Sequence, residues 1–72
     1  MRGKSYTVLT GIENSKEIMQ KTAYVIGRDN RADVNNQYRV LNLIVTPGKE
    51  VFVLENVETG KQKRAKRIFV LE

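Results

Sequence analysis

The chain has 72 residues, neither cysteine nor histidine, and a formal net charge of +5. A chain of this length makes one small domain, which buries only about 60% of the surface that its unfolded form exposes. Without cysteine and histidine it lacks disulfides and the commonest catalytic and metal-binding side chains, so we expect a non-enzymatic protein with no metal and no cofactor.

The N-terminal segment MRGKSYTVLTGI begins with basic residues, but Ser5, Thr7 and Thr10 interrupt its apolar side chains. It is too polar for the core of a signal peptide. No other stretch approaches the roughly 18 apolar residues that a membrane helix needs. We therefore expect a cytoplasmic protein with no membrane contact.

The apolar side chains of the chain are largely Val and Ile, which are branched at Cβ and fit a pleated sheet better than a helix. SYTVLTGI alternates in polarity and predicts a strand over residues 5–12, and TAYVIG predicts a second strand over 22–27. Between them, Asn14 and Glu17 have the spacing of a helix-capping pair that would open one or two helical turns through Gln20. A hairpin turn around Asn14 and Ser15 is the competing interpretation, and we favour it slightly.

RDNRADVNNQ, residues 28–37, is the longest polar stretch of the chain. Asn and Asp bond to their own backbone and interrupt regular structure, so this segment is predicted to be a loop. A loop of this length in so small a domain is unusual enough to suggest a function, although a simple solvated connection also explains it.

The next two predicted strands, YRVLNLIV and EVFVLENV, flank the tight turn TPGK. Pairing across this turn sets Leu43 opposite Phe52 and Leu41 opposite Leu54 on one apolar face. The opposite face is also partly apolar, and its members are Val40, Ile44, Val51 and Val53. Strands that are apolar on both faces are typical of the centre of a curved or closed sheet.

A second tight turn, ETGK at residues 58–61, leads into the last predicted strand, which includes residues 61–71. Five strands with short turns predict an all-β fold: a small five-stranded barrel or a strongly bent antiparallel meander, with room for one short helical turn. Small barrels of the oligonucleotide-binding or Src-homology type are the natural comparisons.

The last strand begins with the basic segment KQKRAKR, residues 61–67. Its cations are Lys61, Lys63, Arg64, Lys66 and Arg67, and their +5 equals the net charge of the whole chain. Both faces of the segment are charged until Ile68, so alternation does not bury it. We expect an exposed hairpin arm, after which residues 68–71 return to the core.

Two readings of this basic segment stay open. In the predicted register Glu55 lies opposite Lys63 and Glu58 lies near Lys61, which favours a solvated edge strand with weak ion pairs. The other three cations have no such neighbour. A surface of this kind suits the phosphate backbone of RNA or DNA, which the five cations of the segment would contact.

A protein-interaction module is the alternative function. Its docking surface would be either the valine-rich sheet face defined above or the polar loop. The candidate loop residues are Arg28, Asp29, Asn30, Arg31 and Asp33. The partner would be a larger cytoplasmic assembly or a second copy of the chain.

Overall fold

The computed structural model describes residues 2–72, which form one antiparallel sheet and two short helices. In chain order the elements are β1 (Gly3–Thr7), α1 (Val8–Glu13), α2 (Ser15–Ile18), β2 (Thr22–Val25), β3 (Tyr38–Ile44), β4 (Val51–Asn56), β5 (Gln62–Ala65) and β6 (Arg67–Leu71). The strands lie in the order β1-β6-β2-β3-β4-β5. The last strand along the chain, β6, therefore lies between β1 and β2.

The prediction of a mostly-β, antiparallel fold is confirmed, but the sheet has six strands and is not closed into a barrel. The extra strand arises because the predicted last strand is divided at Lys66. Ala65 and Ile68 are both buried although they are three residues apart. In a straight strand an odd separation puts two side chains on opposite faces, so the bend at Lys66 is what lets both reach the core.

The predicted strand over residues 5–12 is wrong beyond Thr7, where helix α1 begins. Thr7 and Thr10 form a reciprocal capping box, with the Thr7 amide donating to Thr10 Oγ1 at 2.8 Å. Val8 and Gly11, one turn apart, both face the core. The favoured hairpin around Asn14 is also wrong, because α2 follows at once and buries Ile18.

The β3–β4 hairpin is confirmed, with Leu43 opposite Phe52 and Gly48 at φ 81° in the turn. The second predicted pair is wrong, since Val40 and not Leu41 lies opposite Leu54. The register shifts between Val40 and Asn42, so the extra residue of a β-bulge takes up the difference.

The second tight turn is confirmed, but it shifts the basic segment by one residue. Asn56 accepts from two turn amides through its side chain, at 2.8 and 3.0 Å, and its own amide donates to the Lys61 carbonyl. Four residues therefore lie between the paired positions 56 and 61, and Glu55 lies opposite Gln62. The predicted pairing of Glu55 with Lys63 is wrong, and Lys63 lies opposite Leu54 instead.

The core joins buried side chains of the sheet to Val8 and Ile18 of the two helices. Its fully buried larger side chains are Phe52, Ile18, Leu54, Ile68 and Val40. Val40 was expected on the partly apolar outer face, and the bulge that follows it explains why it points inward. Ile44, Val51 and Val53 are half-buried. Within residues 2–72, no helix is long and apolar enough to cross a membrane.

Candidate nucleic-acid interface

The polar loop after β2 folds into a small ordered turn. A bridge joins Ile26 to Ala32, and the Gly27 amide donates to the Arg31 carbonyl at 3.1 Å. Asp29 Oδ1 accepts the Arg31 amide at 3.2 Å, which is the self-bonding expected of an aspartate in a turn. Asn30 takes a positive φ of 61° at the tip. This geometry fixes the backbone from which Arg28 and Arg31 project.

Arg67 joins this loop to the basic segment. Its Nη2 donates to the carbonyl of Gly27 at 3.0 Å and to Asn30 Oδ1 at 2.6 Å. Its own carbonyl accepts the amide of Ile26 at 3.2 Å, and its Cα partner on β1 is Thr7. The side chain is half-buried, whereas the other four cations of the segment are exposed. Arg67 therefore holds two parts of the surface together.

A cleft of about 250 Å³ opens where the loop meets the bend at Lys66. Four cations line it: Arg28 from the loop and Arg64, Lys66 and Arg67 from the basic segment. The other lining residues are apolar or glycine. Within the part of the chain that the structure describes, the wall of this cleft therefore contains no carboxylate. We call this set of four residues the basic cleft. Lys66 and Arg67 also line an adjoining recess of about 660 Å³ that contains Glu50, so the excess of positive charge is greatest on the side of Arg28 and Arg64. Cations that converge on a concave place attract an anion more strongly than scattered cations do.

Beside the basic cleft lies a second recess of about 490 Å³ with mixed charge. Arg31 and Lys63 line it together with Asp29 and Asp33. Two cations and two carboxylates leave it close to neutral. Asp33 is also engaged within the loop, where its carboxylate accepts from the Asn35 amide at 3.2 Å and Asn36 Nδ2 at 2.9 Å. This recess therefore marks one limit of the strongly positive surface.

The structure brings together residues that the sequence assigned to two separate candidate sites. Three of the five predicted nucleic-acid-binding cations line the basic cleft, and Arg28 joins them from the predicted partner-binding loop. Lys63 lines the mixed recess, and exposed Lys61 ends the turn before β5. The expected hairpin pairing of the basic segment with the preceding strand is confirmed for residues 62–65, which form the edge strand along β4 in a register shifted by one residue.

Sequence reasoning missed both the place of Arg28 and the structural part that Arg67 has. Arg67 was grouped with cations that lack a neighbour, yet its partners lie 37 and 40 positions away along the chain. No local pattern signals such a contact. The sequence offered one hint: Asn30 belongs to a loop that is long enough to need an anchor.

A separate recess of about 350 Å³ lies between the helices and β3 and is more apolar. Ile12, Met19, Leu43 and Val45 line it, and Ile12 and Val45 are exposed. It shares no lining residue with the basic cleft. The predicted valine-rich docking face is not this surface.

No protein family, curated protein or solved structure matches the chain. What the chain does must therefore be argued from its own residues.

Proposed function

We propose that the protein is a small nucleic-acid-binding domain that contacts the phosphate backbone through the basic cleft. The observation that carries this proposal is the convergence of four cations from two distant segments on one cleft with no carboxylate in its described lining. Arginine and lysine donate to phosphate oxygens, and several cations acting together release the counterions that condense on a nucleic acid.

The register of β5 supports this role over that of a merely solvated edge. The carboxylate expected to neutralise Lys63 lies opposite the neutral Gln62 instead. Arg64 lies opposite Val53, so its direct cross-strand neighbour carries no charge either. Cations that only protected a sheet edge would not need to meet Arg28 across a cleft. We propose binding without catalysis, because an array of cations supplies attraction and no acid–base or nucleophilic chemistry.

Docking on a protein partner is the alternative, and the apolar recess beside α1 is the observation that favours it. The polar loop supports it less, because Asp29, Asn30 and Asp33 already accept hydrogen bonds within the loop or from Arg67. The two functions use different surfaces, so one set of variants separates them.

The test is fluorescence anisotropy with labelled DNA and RNA, each single- and double-stranded, over a range of salt concentrations. For a duplex, four contacted phosphates predict a slope of log K against log salt of about −3.6, so that affinity falls about 150-fold between about 50 and 200 mM salt. The variant with Arg28, Arg64 and Lys66 all changed to Gln should leave a slope of about −0.9 and a fall of only about fourfold.

The matched control changes Lys4, Lys16 and Lys21 to Gln. It removes the same charge from exposed positions that line other recesses. We expect this control to keep most of the affinity and nearly the full slope. Equal losses of affinity in the two triple variants would show that binding depends only on net charge, and the basic cleft would then not be the binding site. If the protein bound none of the nucleic acids at low salt, the proposal would be wrong.

A further inference from the structure

The aromatic side chains of this protein lie away from the basic cleft. The chain has three tyrosines, two phenylalanines and no tryptophan, and all five aromatics lie in the described part of the chain. Tyr24, Tyr38 and Phe52 are buried, while Tyr6 and Phe69 are half-buried. None of the five lines the basic cleft. The cleft therefore offers charge and aliphatic surface to a ligand, with no ring on which a base could stack.

This absence bears on which form of nucleic acid the cleft prefers. Proteins that bind single strands combine a basic groove with exposed aromatics, and each stacked base contributes about 1–3 kcal/mol. Without stacking, affinity follows the density of phosphate charge. A duplex carries one charge per roughly 1.7 Å of its axis, about twice the density along one of its strands.

We infer that the basic cleft selects a double helix over a single strand and holds it by its phosphates. This inference rests on the proposed function of the same cleft. The cations project from two directions, Arg28 from the loop and Arg64 and Lys66 from the bent edge of the sheet, so they suit a backbone of fixed curvature. A flexible strand loses conformational freedom when it follows such a set of charges, and no stacking offsets that loss.

The size of the preference follows from counterion release. Four neutralised phosphates release about 3.6 counterions from a duplex and about 2.8 from a single strand. If counterion release is the only difference between the two complexes, the affinity for the duplex exceeds that for the single strand about tenfold at about 50 mM salt and about fourfold at about 200 mM. The preference should therefore shrink as salt rises, which a preference based on stacking or base contacts would not do.

The experiment is a competition assay on the full chain. A labelled duplex is displaced by unlabelled duplexes and single strands that are matched in number of phosphates, in DNA and RNA arms, at both salt concentrations. We expect single strands to compete about tenfold less well at the lower salt, and the ratio to narrow at the higher salt. The variant with Arg28, Arg64 and Lys66 changed to Gln should reduce the ratio to about twofold or less, whereas the Lys4, Lys16 and Lys21 control should keep it.

Three results would overturn the inference. The first is that single strands compete as well as duplexes. The second is that competition by homopolymers depends strongly on their base, because such a dependence reports stacking. A preference that survives the triple variant would place selection outside the cleft. In the first two cases the protein still binds nucleic acid through the cleft, so the proposed function stands while the duplex preference fails. Failure to bind any nucleic acid would remove both.

Discussion

Changing Arg67 to Gln should lower the stability of the folded protein more than changing any other cation of the basic segment to Gln. The side chain is half-buried and makes two hydrogen bonds to the loop after β2, at 2.6 and 3.0 Å. A hydrogen bond to a charged group contributes about 1.5–3 kcal/mol when well shielded, and partial exposure lowers that figure. We therefore expect a loss of about 1–2 kcal/mol for the pair of bonds. In a domain of this size that loss lowers Tm by roughly 4–16 °C.

The matched control is Arg64→Gln, which removes the same charge from an exposed position opposite Val53. A surface change of this kind should stay within about 0.5 kcal/mol of the parent. Thermal unfolding followed by circular dichroism compares the two. A double-mutant cycle with Asn30→Ala then isolates the contact between Arg67 and Asn30, for which we expect a coupling of about 0.5–1.5 kcal/mol. Equal Tm values for the two arginine variants, or no coupling to Asn30, would refute the anchoring part assigned to Arg67.

Three further predictions concern positions that shape the fold around the cleft. Gly11→Ala would place a Cβ 2.8 Å from the ring of fully buried Phe52. The cost of overpacking, about 1–3 kcal/mol, should outweigh a gain in helix propensity of about 1 kcal/mol and lower Tm, so a raised Tm would contradict this prediction. Gly60→Ala meets open space but needs φ 73°, and it should cost about 1–2 kcal/mol in urea unfolding, whereas an unchanged midpoint would show that the turn relaxes. Asn56→Ala removes the acceptor for two turn amides, so those amides should exchange with deuterium faster while amides of β2 keep their protection.

Local sequence chemistry predicted the parts of the fold that depend on neighbouring residues. The β3–β4 hairpin follows from Pro47 and Gly48 between two apolar strands, and its inner register is confirmed by Leu43 opposite Phe52. The predicted register was wrong at the two places where one additional or missing residue determines it. One extra residue at the bulge moved Val40 inward, and the length of the next turn moved Lys63 by one position.

The elements that sequence reasoning missed depend partly on a local capping signal that it overlooked and partly on contacts between distant residues. SYTVLTGI alternates like a strand, yet the Thr7–Thr10 capping box and the packing of Gly11 against Phe52 make its second half helical. The pairing of β1 with β6 joins the two ends of the chain, which no local pattern reports.

The candidate site shows the same limit. The basic segment and the polar loop were each recognised as unusual, but as rival sites. Their union depends on the bend at Lys66 and on the reach of Arg67 across 37 and 40 positions to the loop. Both are properties of the folded chain. The bend places Ala65 and Ile68 in the core together, and the contact of Arg67 joins residues that are distant in sequence.

The central claim is that the loop and the basic segment form one binding surface. The most direct measurement is a titration of the isotope-labelled protein with a short duplex at low salt, followed by the chemical shifts of its backbone amides. We predict that the amide signals of residues 27–31 and 63–67 shift together, with one apparent affinity, while those of α2 and the apolar recess do not shift. Shifts confined to one of the two segments, or centred on the recess beside α1, would contradict it.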